Sequence, residues 1–233
     1  MRGLFVTGTD TGVGKSVLAA AICAALTERG ERVAAFKPVV TGLDEPAGEW
    51  PRDHELLASV ASAGQSPEQV APVRFGPPVS PHHAAELAGA PLEPLELARL
   101  GRAAGGIGAD AVVCEGVGGL LVPLAPGYLI RDLALDLGLP VIVAAPPGLG
   151  TINHSLLTVE AGRRAGLDVR AVVLTPWPEE PGELELSNRR TIESLGGVEV
   201  AVLPRAAPDP ESLAAAGRGL PLCDWLSAVD QGA

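Results

Sequence analysis

Short apolar runs, nearly free of charged residues, recur along this chain and alternate with stretches of helical periodicity. Unbroken apolar runs are typical of strands that are buried on both faces of a parallel sheet. They span residues 4–8, 33–37, 111–116, 141–145, 171–175 and 198–204. Helices are predicted at 15–29, 53–63, 83–89, 94–104, 129–137, 151–165 and 184–195, with one or two more within 209–229. This alternation predicts an α/β fold with a doubly wound, mostly parallel sheet and helices on both faces.

The composition favours one α/β domain over residues 1–233. Hydrophobic residues make up 47% of the chain, but aromatic residues only 3%. We therefore expect a core of small aliphatic side chains with close backbone packing. The Pro-rich stretches 43–52, 76–81 and 176–182 are predicted to form loops near the strand ends, where ligands bind in open α/β sheets.

The formal charge of −11 argues against a nucleic-acid partner and against an anionic membrane surface. No apolar segment approaches the length that spans a membrane, and the N-terminal apolar run is shorter than a signal peptide requires. We interpret Cys23, Cys114 and Cys223 as reduced core thiols, since they lie in apolar surroundings without CxxC spacing. These features favour a cytoplasmic protein.

The strongest motif is "GTDTGVGKS", Gly8 to Ser16, between a predicted strand and a predicted helix. This is the context of a P-loop, in which backbone N–H groups surround phosphate oxygens. Lys15 would reach the terminal phosphates, and the Ser16 hydroxyl would bind Mg²⁺. The spacing is a variant, because five residues separate Gly8 from Gly14 and Thr9 stands where a glycine is usual. The alternative is a glycine-rich turn with an incidental lysine and serine.

A carboxylate ends the strand within Ala111 to Gly119, where Glu115 is followed by Gly116 and Gly118. A carboxylate at a strand end near a P-loop is typical of a second Mg²⁺ anchor, and the glycines allow the backbone to approach phosphate. The alternative is a turn with a solvated glutamate.

Asp53 has two interpretations, as a metal-associated carboxylate or as the N-cap of the following helix.

Lys37 ends the run "VAAFK" and precedes Pro38. Of the seventeen basic residues only Lys15 and Lys37 are lysines, so an ordinary surface cation at position 37 would be arginine. A surface lysine is the alternative, but the composition favours a site residue.

Further along, Gly148 and Gly150 precede a predicted helix, and the free N–H groups at the start of that helix could bind an anion. The alternative is that Thr151 or Asn153 caps the helix.

Five blocks of the sequence together resemble the dethiobiotin synthetase family of biotin biosynthesis. They are "VTGTDTGVGKS", "FKPVVTG", "SPHHAAE", "CEGVGGLLVPL" and "GLGTINHSLLT". The resemblance implies a P-loop NTPase-like fold and a ligase that converts 7,8-diaminopelargonate, CO₂ and ATP into dethiobiotin, ADP and phosphate. It also implies Mg²⁺ as cofactor, small-molecule partners only, and a homodimer.

The resemblance implies a role for each matched residue. Lys37 and Lys15 would be catalytic, and Ser16, Asp53 and Glu115 would bind the metal. The nucleotide would contact Gly12, Val13, Gly14, Lys15, Ser16, Val17, Asp53, Glu115, Gly116, Val117, Gly118, Thr175, Pro176, Pro204, Arg205, Ala206 and Glu211. The other substrate would contact Thr11, Thr41, Gly150, Thr151 and Asn153.

The chain departs from the family at Thr175 and Pro176, where an Asn followed by Asp is frequent, and this puts strict adenine selection in question.

Two other functions are alternatives to the synthetase. A partition- or division-type switch ATPase usually has a second lysine near the start of the P-loop, where Thr9 and Asp10 stand here. The synthetase part of a glutamine-dependent amidating enzyme would need a glutaminase.

Overall fold

Six parallel strands form the central sheet of the computed structural model, which describes residues 1–46, 48–106 and 108–227. The strands are β1 (Gly3–Gly8), β2 (Val33–Phe36), β3 (Ala111–Glu115), β6 (Val141–Ala145), β7 (Val169–Trp177) and β8 (Glu199–Pro204). Their order in the sheet is β2-β3-β1-β6-β7-β8, so β1 is central and its neighbours are reached by crossovers in both directions. A separate antiparallel pair consists of β4 (Pro123–Ala125) and β5 (Tyr128–Leu129).

Ten helices of the described residues cover the two faces of this sheet. They are α1 (Lys15–Glu28), α2 (Asp53–Val60), α3 (Pro67–Val70), α4 (Pro81–Leu87), α5 (Pro94–Gly105), α6 (Ile130–Leu137), α7 (Thr151–Arg164), α8 (Glu183–Gly196), α9 (Pro210–Gly217) and α10 (Leu222–Leu226). None of them is long and apolar enough to cross a bilayer. The predicted α/β class, with a doubly wound parallel sheet and helices on both faces, is confirmed.

Two hydrophobic cores lie on opposite faces of the sheet because alternate side chains of each strand point to opposite sides. Leu4 and Val6 of β1 pack into the core that α1, α2, α9 and α10 cover. Phe5 packs into the core that α5, α6, α7 and α8 cover. The expected close backbone packing occurs between α1 and α9, where a Cβ added at Gly217 would lie 2.3 Å from the carbonyl oxygen of Ala21.

The edge strand β2 is protected by side chains of the segment that follows α2. The amide of Gln65 accepts a hydrogen bond from Ala35 N at 2.8 Å and donates one to Ala35 O at 3.0 Å. The Ser62 hydroxyl accepts from Val33 N at 2.9 Å. These bonds occupy backbone groups that a further strand would otherwise use.

The structure corrects several sequence predictions. β7 extends through Trp177, so the stretch 176–182 is only partly loop, and Pro81 begins α4 rather than ending a loop. The short elements α3, β4 and β5 were not predicted. The one or two helices expected within 209–229 are two, α9 and α10, and residues 228–229 of that range lie outside the described residues. Cys23 and Cys114 are buried as expected, whereas Cys223 is exposed because α10 turns Leu222 and Trp225 inward instead.

Candidate active site

The loop between β1 and α1 has the backbone geometry that phosphate binding requires. Gly12 and Gly14 have φ values of +75° and +90°, which glycine adopts readily and other residues do not. α1 then begins at Lys15, so the first N–H groups of the helix point towards the loop. The buried Lys15 ammonium donates a hydrogen bond to Asp10 O at 2.6 Å. The loop thus combines helix N–H groups with an ammonium, which is the chemistry of an anion site.

Lys37 joins two carboxylates at the edge of the sheet next to this loop. Residues Phe36 and Cys114 are paired in register, so Lys37 and Glu115 leave β2 and β3 side by side. The Lys37 amine donates to Glu115 Oε1 at 2.7 Å and lies 2.6 Å from Asp53 Oδ2. The side chains of Lys37 and Glu115 are 4% and 0% exposed, against 44% for Asp53. The interpretation of Lys37 as a surface residue is therefore wrong.

Three oxygen-bearing side chains from three elements converge here and could hold a divalent cation. The Ser16 hydroxyl donates to Glu115 Oε1 at 2.8 Å. The second carboxylate oxygen of Glu115, Oε2, is buried and has no hydrogen-bond partner among the described residues. A buried carboxylate oxygen without a partner is costly. Together with Ser16 and Asp53, it fits the oxygen ligands that Mg²⁺ prefers.

The alternative role of Asp53 as a helix N-cap is not what the structure has. α2 begins at Asp53, and Arg52 is the N-cap residue. The Asp53 carboxylate is instead committed to the Lys37 amine. This contact ties the first turn of α2 to the end of β2.

The charges of Lys37 and Asp53 stabilise each other. Burial by itself would lower the pKa of Lys37, but the carboxylates of Asp53 and Glu115 more than offset this and raise it. Burial by itself would raise the pKa of Asp53, but the Lys37 ammonium lowers it to about 2. The pair is therefore ionised at neutral pH.

Lys15 and Glu115 respond mainly to burial. Burial lowers the pKa of Lys15, which the charge of Glu115 only partly opposes. Burial also raises the pKa of Glu115, against the influence of Lys37. Two carboxylates share one ammonium, and the more exposed Asp53 is the one whose ionised form is favoured. The charge of Glu115 is thus not fully compensated by Lys37, and its Oε2 has no partner among the described residues.

A cavity of about 770 Å³ opens beside these groups. Its wall brings together the predicted residues Thr11, Gly12, Gly14, Lys15, Ser16, Val17, Lys37, Thr41, Asp53, Glu115, Val117 and Gly118. Val13 is buried behind the loop, and Gly116 packs against Phe5 and Ile130 instead of facing the cavity. One cavity therefore contains both lysines and all three predicted metal residues.

The residues predicted to border the nucleobase lie beyond this cavity. Thr175 is buried, and its Cγ2 would lie 2.8 Å from a Cβ added at Gly14, so its side chain packs directly against the loop. The next residue, Pro176, has no N–H to donate. Pro204 ends β8, and Arg205, Ala206 and Glu211 follow it towards and into α9.

The predicted substrate residues at the start of α7 also lie outside the cavity wall. Gly150, with a φ of +91°, is the N-cap, and no side chain caps the helix, so the capping role considered for Thr151 and Asn153 is wrong. Thr151 is buried. The preceding turn is held by Asn188 of α8, whose amide donates to Pro147 O and Gly148 O at 2.8 and 3.1 Å.

Sequence reasoning missed much of the cavity wall. The unassigned wall residues include Val39, Val40, Glu45, Trp50, Pro78, Val79, Ser80 and Val122. Four of them, Val39, Val40, Val79 and Ser80, lie in or next to the blocks "FKPVVTG" and "SPHHAAE". The sequence therefore marked these segments, although it gave these four residues no role. Arg52 and Asn188, which hold the neighbouring loops, have no local sequence signal that separates them from other polar surface residues.

The fold and this site define a P-loop nucleotide-binding protein of the α/β class. A family model described as "AAA domain" matches residues 2–207. Similar curated proteins include the ATP-dependent dethiobiotin synthetase BioD of Anaeromyxobacter dehalogenans strain 2CP-1, 45% identical over 80% of this chain and 82% of the relative. The BioD of Mycobacterium avium is 40% identical over 98% of this chain and 99% of the relative. The chain belongs to the dethiobiotin synthetase family.

Among solved structures, the cell division ATPase MinD of Pyrococcus furiosus is similar, with a TM-score of 0.53 and 18% sequence identity. The match covers 97% of this chain and 91% of the MinD chain. At this identity the similarity shows the shared fold alone.

Proposed function

We propose that this protein is an ATP-dependent dethiobiotin synthetase, which makes the cyclic urea of dethiobiotin from 7,8-diaminopelargonate and CO₂ in biotin biosynthesis. The single observation that carries the proposal is the Lys37 amine, held 2.7 Å from Glu115 and 2.6 Å from Asp53 in the wall of a cavity that also contains the P-loop. A general nucleotide-binding protein needs the P-loop, but not a second buried lysine facing it.

The chemistry has three steps. The nitrogen of one substrate amine attacks CO₂ and loses a proton, which gives a carbamate. A carbamate oxygen then attacks the γ-phosphorus of ATP, the bond to ADP breaks, and a carbamic–phosphoric anhydride remains. The second amine attacks the carbonyl carbon, the bond to phosphate breaks, a second proton leaves, and the ring closes.

Lys15 and Lys37 stabilise the charge that collects when two anions meet. A carbamate and a triphosphate repel each other, and two preorganised ammonium groups offset that repulsion. Lys37 is ionised and fixed by Asp53 and Glu115, so it needs little reorganisation during the reaction. Lys15 would leave Asp10 O to reach the phosphates.

Mg²⁺ would be held by Ser16, Asp53 and Glu115, whose side chains meet at one place. When bound, the ion would neutralise phosphate oxygens and orient the phosphoryl group for transfer. The unpartnered Oε2 of Glu115 supports this assignment. The nucleotide would extend from the P-loop past Thr175 towards the ends of β7 and β8.

The substrate carboxylate would bind at the start of α7 of a second copy, so the active unit would be a homodimer. Two observations support this arrangement. Gly150, Thr151 and Asn153 are absent from the cavity wall of their own chain. The apolar side chains of Leu149 and Leu157, beside and on α7, are 93% and 57% exposed, which a partner surface would cover. The protein would work on these small molecules in the cytoplasm.

The two alternative functions are less well supported. The similarity to MinD extends to the fold, which many functions share. The relatives of 40–45% identity bear the name of the synthetase. A glutamine-dependent reaction has no specific observation in its favour.

The deciding experiment measures phosphate release from ATP and the mass of the product. We expect phosphate and dethiobiotin in equal amounts when the diamine, bicarbonate and Mg²⁺ are all present, and neither when EDTA replaces Mg²⁺. Phosphate release that ignores the diamine would support a switch ATPase. A product that requires glutamine would support the amidating enzyme.

A further inference from the structure

Arg52 links the wall of the cavity to the helix that carries Asp53. Its guanidinium donates to Gly42 O at 3.2 Å through Nη1 and to Leu43 O and Glu45 O, both at 2.9 Å, through Nη2. Among the described residues, no other side chain donates to these three carbonyls. A single side chain therefore holds one edge of the segment 42–45.

The other edge of this segment is held by backbone. Gly42 N donates to Pro77 O at 3.0 Å, Leu43 N to Phe75 O at 3.2 Å and Asp44 N to Gly76 O at 2.9 Å. The backbone ladder fixes the segment against the loop 75–77, and the guanidinium fixes it against α2. Because Thr41, Gly42 and Glu45 line the cavity, both attachments set the shape of its wall.

Arg52 and Asp53 are consecutive, and they hold the two ends of one short stretch of chain. Asp53 binds the Lys37 amine at 2.6 Å, and Arg52 binds the carbonyl of Gly42. The residues from Lys37 to Gly42 are thus clamped at both ends by the start of α2. A shift of the segment 42–45 would move Thr41 relative to the Lys37 amine.

We infer that Arg52 is a positioning residue that keeps the Thr41 wall of the diamine pocket in register with Lys37. This inference rests on the proposed function. The contribution is geometric, since the guanidinium binds carbonyls of the wall and donates nothing to the cavity cluster of Lys37, Asp53 and Glu115. The phosphate-binding loop is built on β1 and α1, and the neighbouring Asp53 carboxylate is held by the Lys37 amine and not by the guanidinium of Arg52.

Loss of the Arg52 side chain should change the KM for the diamine but not the KM for ATP. In Arg52→Ala the KM for the diamine should rise about tenfold to a hundredfold, the range expected for a misplaced positioning group. The KM for ATP should stay within about twofold, because the P-loop is unaffected. Arg52→Lys should recover only part of the loss, since one ammonium cannot reproduce a planar fork that donates from two nitrogens.

Arg74→Ala provides a matched control. Arg74 lies next to the same loop, but its guanidinium contacts the exposed carboxylate of Glu68 at 3.2 Å and none of the carbonyls of 42–45. Its KM values should equal those of the wild type. An Arg52→Ala enzyme with an unchanged diamine KM, or with equal rises in both KM values, would overturn the inference.

Hydrogen exchange gives a readout that does not need turnover. Amides of the segment 42–45 should exchange faster in Arg52→Ala than in the wild type or in Arg74→Ala, while amides of the P-loop should not. Unchanged exchange in 42–45 overturns the inference whatever the enzyme makes. A wild-type protein that makes no dethiobiotin would instead overturn the proposed function, and the two failures are thereby distinguished.

Discussion

The Lys37 amine donates a 2.7 Å hydrogen bond to Glu115 Oε1 at the ends of two neighbouring strands, and both side chains are almost completely shielded from solvent. A charged pair buried in this way is weak evidence for stability, because desolvation offsets much of its attraction. Its position in the cavity wall is what the proposed role of Lys37 requires, that of a preorganised charge for a reaction between anions. Lys37 and Glu115 meet because the register of β2 and β3 pairs the residues before them, Phe36 and Cys114.

Lys37→Arg should preserve the fold and lower turnover by about 10²–10³, the scale of losing one preorganised donor. A guanidinium keeps the positive charge beside Asp53 and Glu115, but it is too large to fit between a carbamate and the γ-phosphate as an ammonium does. Steady-state kinetics with a thermal-unfolding control would measure this. Turnover near that of the wild type would refute a specific requirement for the amine.

The contribution of Asp53 to stability should depend on pH in a defined window. The pKa of Asp53 in the folded protein is about 2, so the folded state binds fewer protons than the unfolded state between that value and the ordinary pKa. The contribution is therefore complete above about pH 4 and is lost as the pH falls towards 2. The Tm difference between wild type and Asp53→Asn should shrink across this window. A difference that stays constant with pH would contradict the ion pair with Lys37.

The enzyme should discriminate weakly between nucleobases. Thr175 packs against Gly14, and Pro176 lacks an N–H, so the end of β7 offers little for reading a base edge. We expect turnover with GTP and CTP within about tenfold of that with ATP, as is usual where no hydrogen-bonding group is dedicated to recognition. Kinetics with each nucleotide at saturating diamine would measure this. A strong preference for ATP would contradict the prediction and would show that Thr175 and Pro176 do not weaken the selection of adenine.

A shared site should allow two inactive variants to restore each other. Lys37→Ala disables the cavity, and Asn153→Ala disables the proposed carboxylate site on the partner. After unfolding and refolding an equal mixture, half of the dimers contain both variants and one of their two sites is intact, which gives about a quarter of wild-type activity. Each variant refolded alone is the control. No recovery in a mixture shown to contain mixed dimers would place both residues in one chain's site.

Gln65→Ala should destabilise the sheet edge and promote association. The substitution leaves the N–H and C=O of Ala35 unpaired on β2, where they were bonded at 2.8 and 3.0 Å. Leaving buried backbone groups unpaired costs about 1–3 kcal/mol each, and an open edge favours intermolecular pairing. Urea unfolding and light scattering would measure the two effects. Wild-type behaviour in both would mean that solvent replaces the amide without cost.

The sheet could be predicted because its strands depend on local sequence. Runs such as "VIVAA" at 141–145 are apolar throughout, and this pattern is enough to identify a strand buried on both faces. The P-loop was identifiable because the conformation of Gly12 and Gly14 and the position of Lys15 follow from the motif. The strand-end residues Lys37 and Glu115 could then be assigned to the same edge.

The rest of the site depends on contacts between distant segments. The cavity wall at Val79 and Ser80 meets Lys37 only in the folded chain, and short elements such as α3 and β4 have too few residues for a periodic signal. The role of Asp53 could not be decided from its neighbours, because a helix start and a salt bridge to Lys37 use the same carboxylate. Arg52 resembles any exposed arginine until its three carbonyl acceptors are known.

The scarcity of lysine has a practical consequence. Lys15 and Lys37 carry the only ε-amino groups in the chain, and both are buried in one cavity. Apart from the α-amino group, reductive-alkylating reagents, which modify amines, therefore have no target on the protein except the two lysines of this cavity. Burial lowers the pKa of Lys15, whereas Asp53 and Glu115 raise that of Lys37, so Lys15 is the amine that such a reagent should modify first. Protection of Lys15, measured by mass spectrometry, would then report on nucleotide in the cavity without any engineered label.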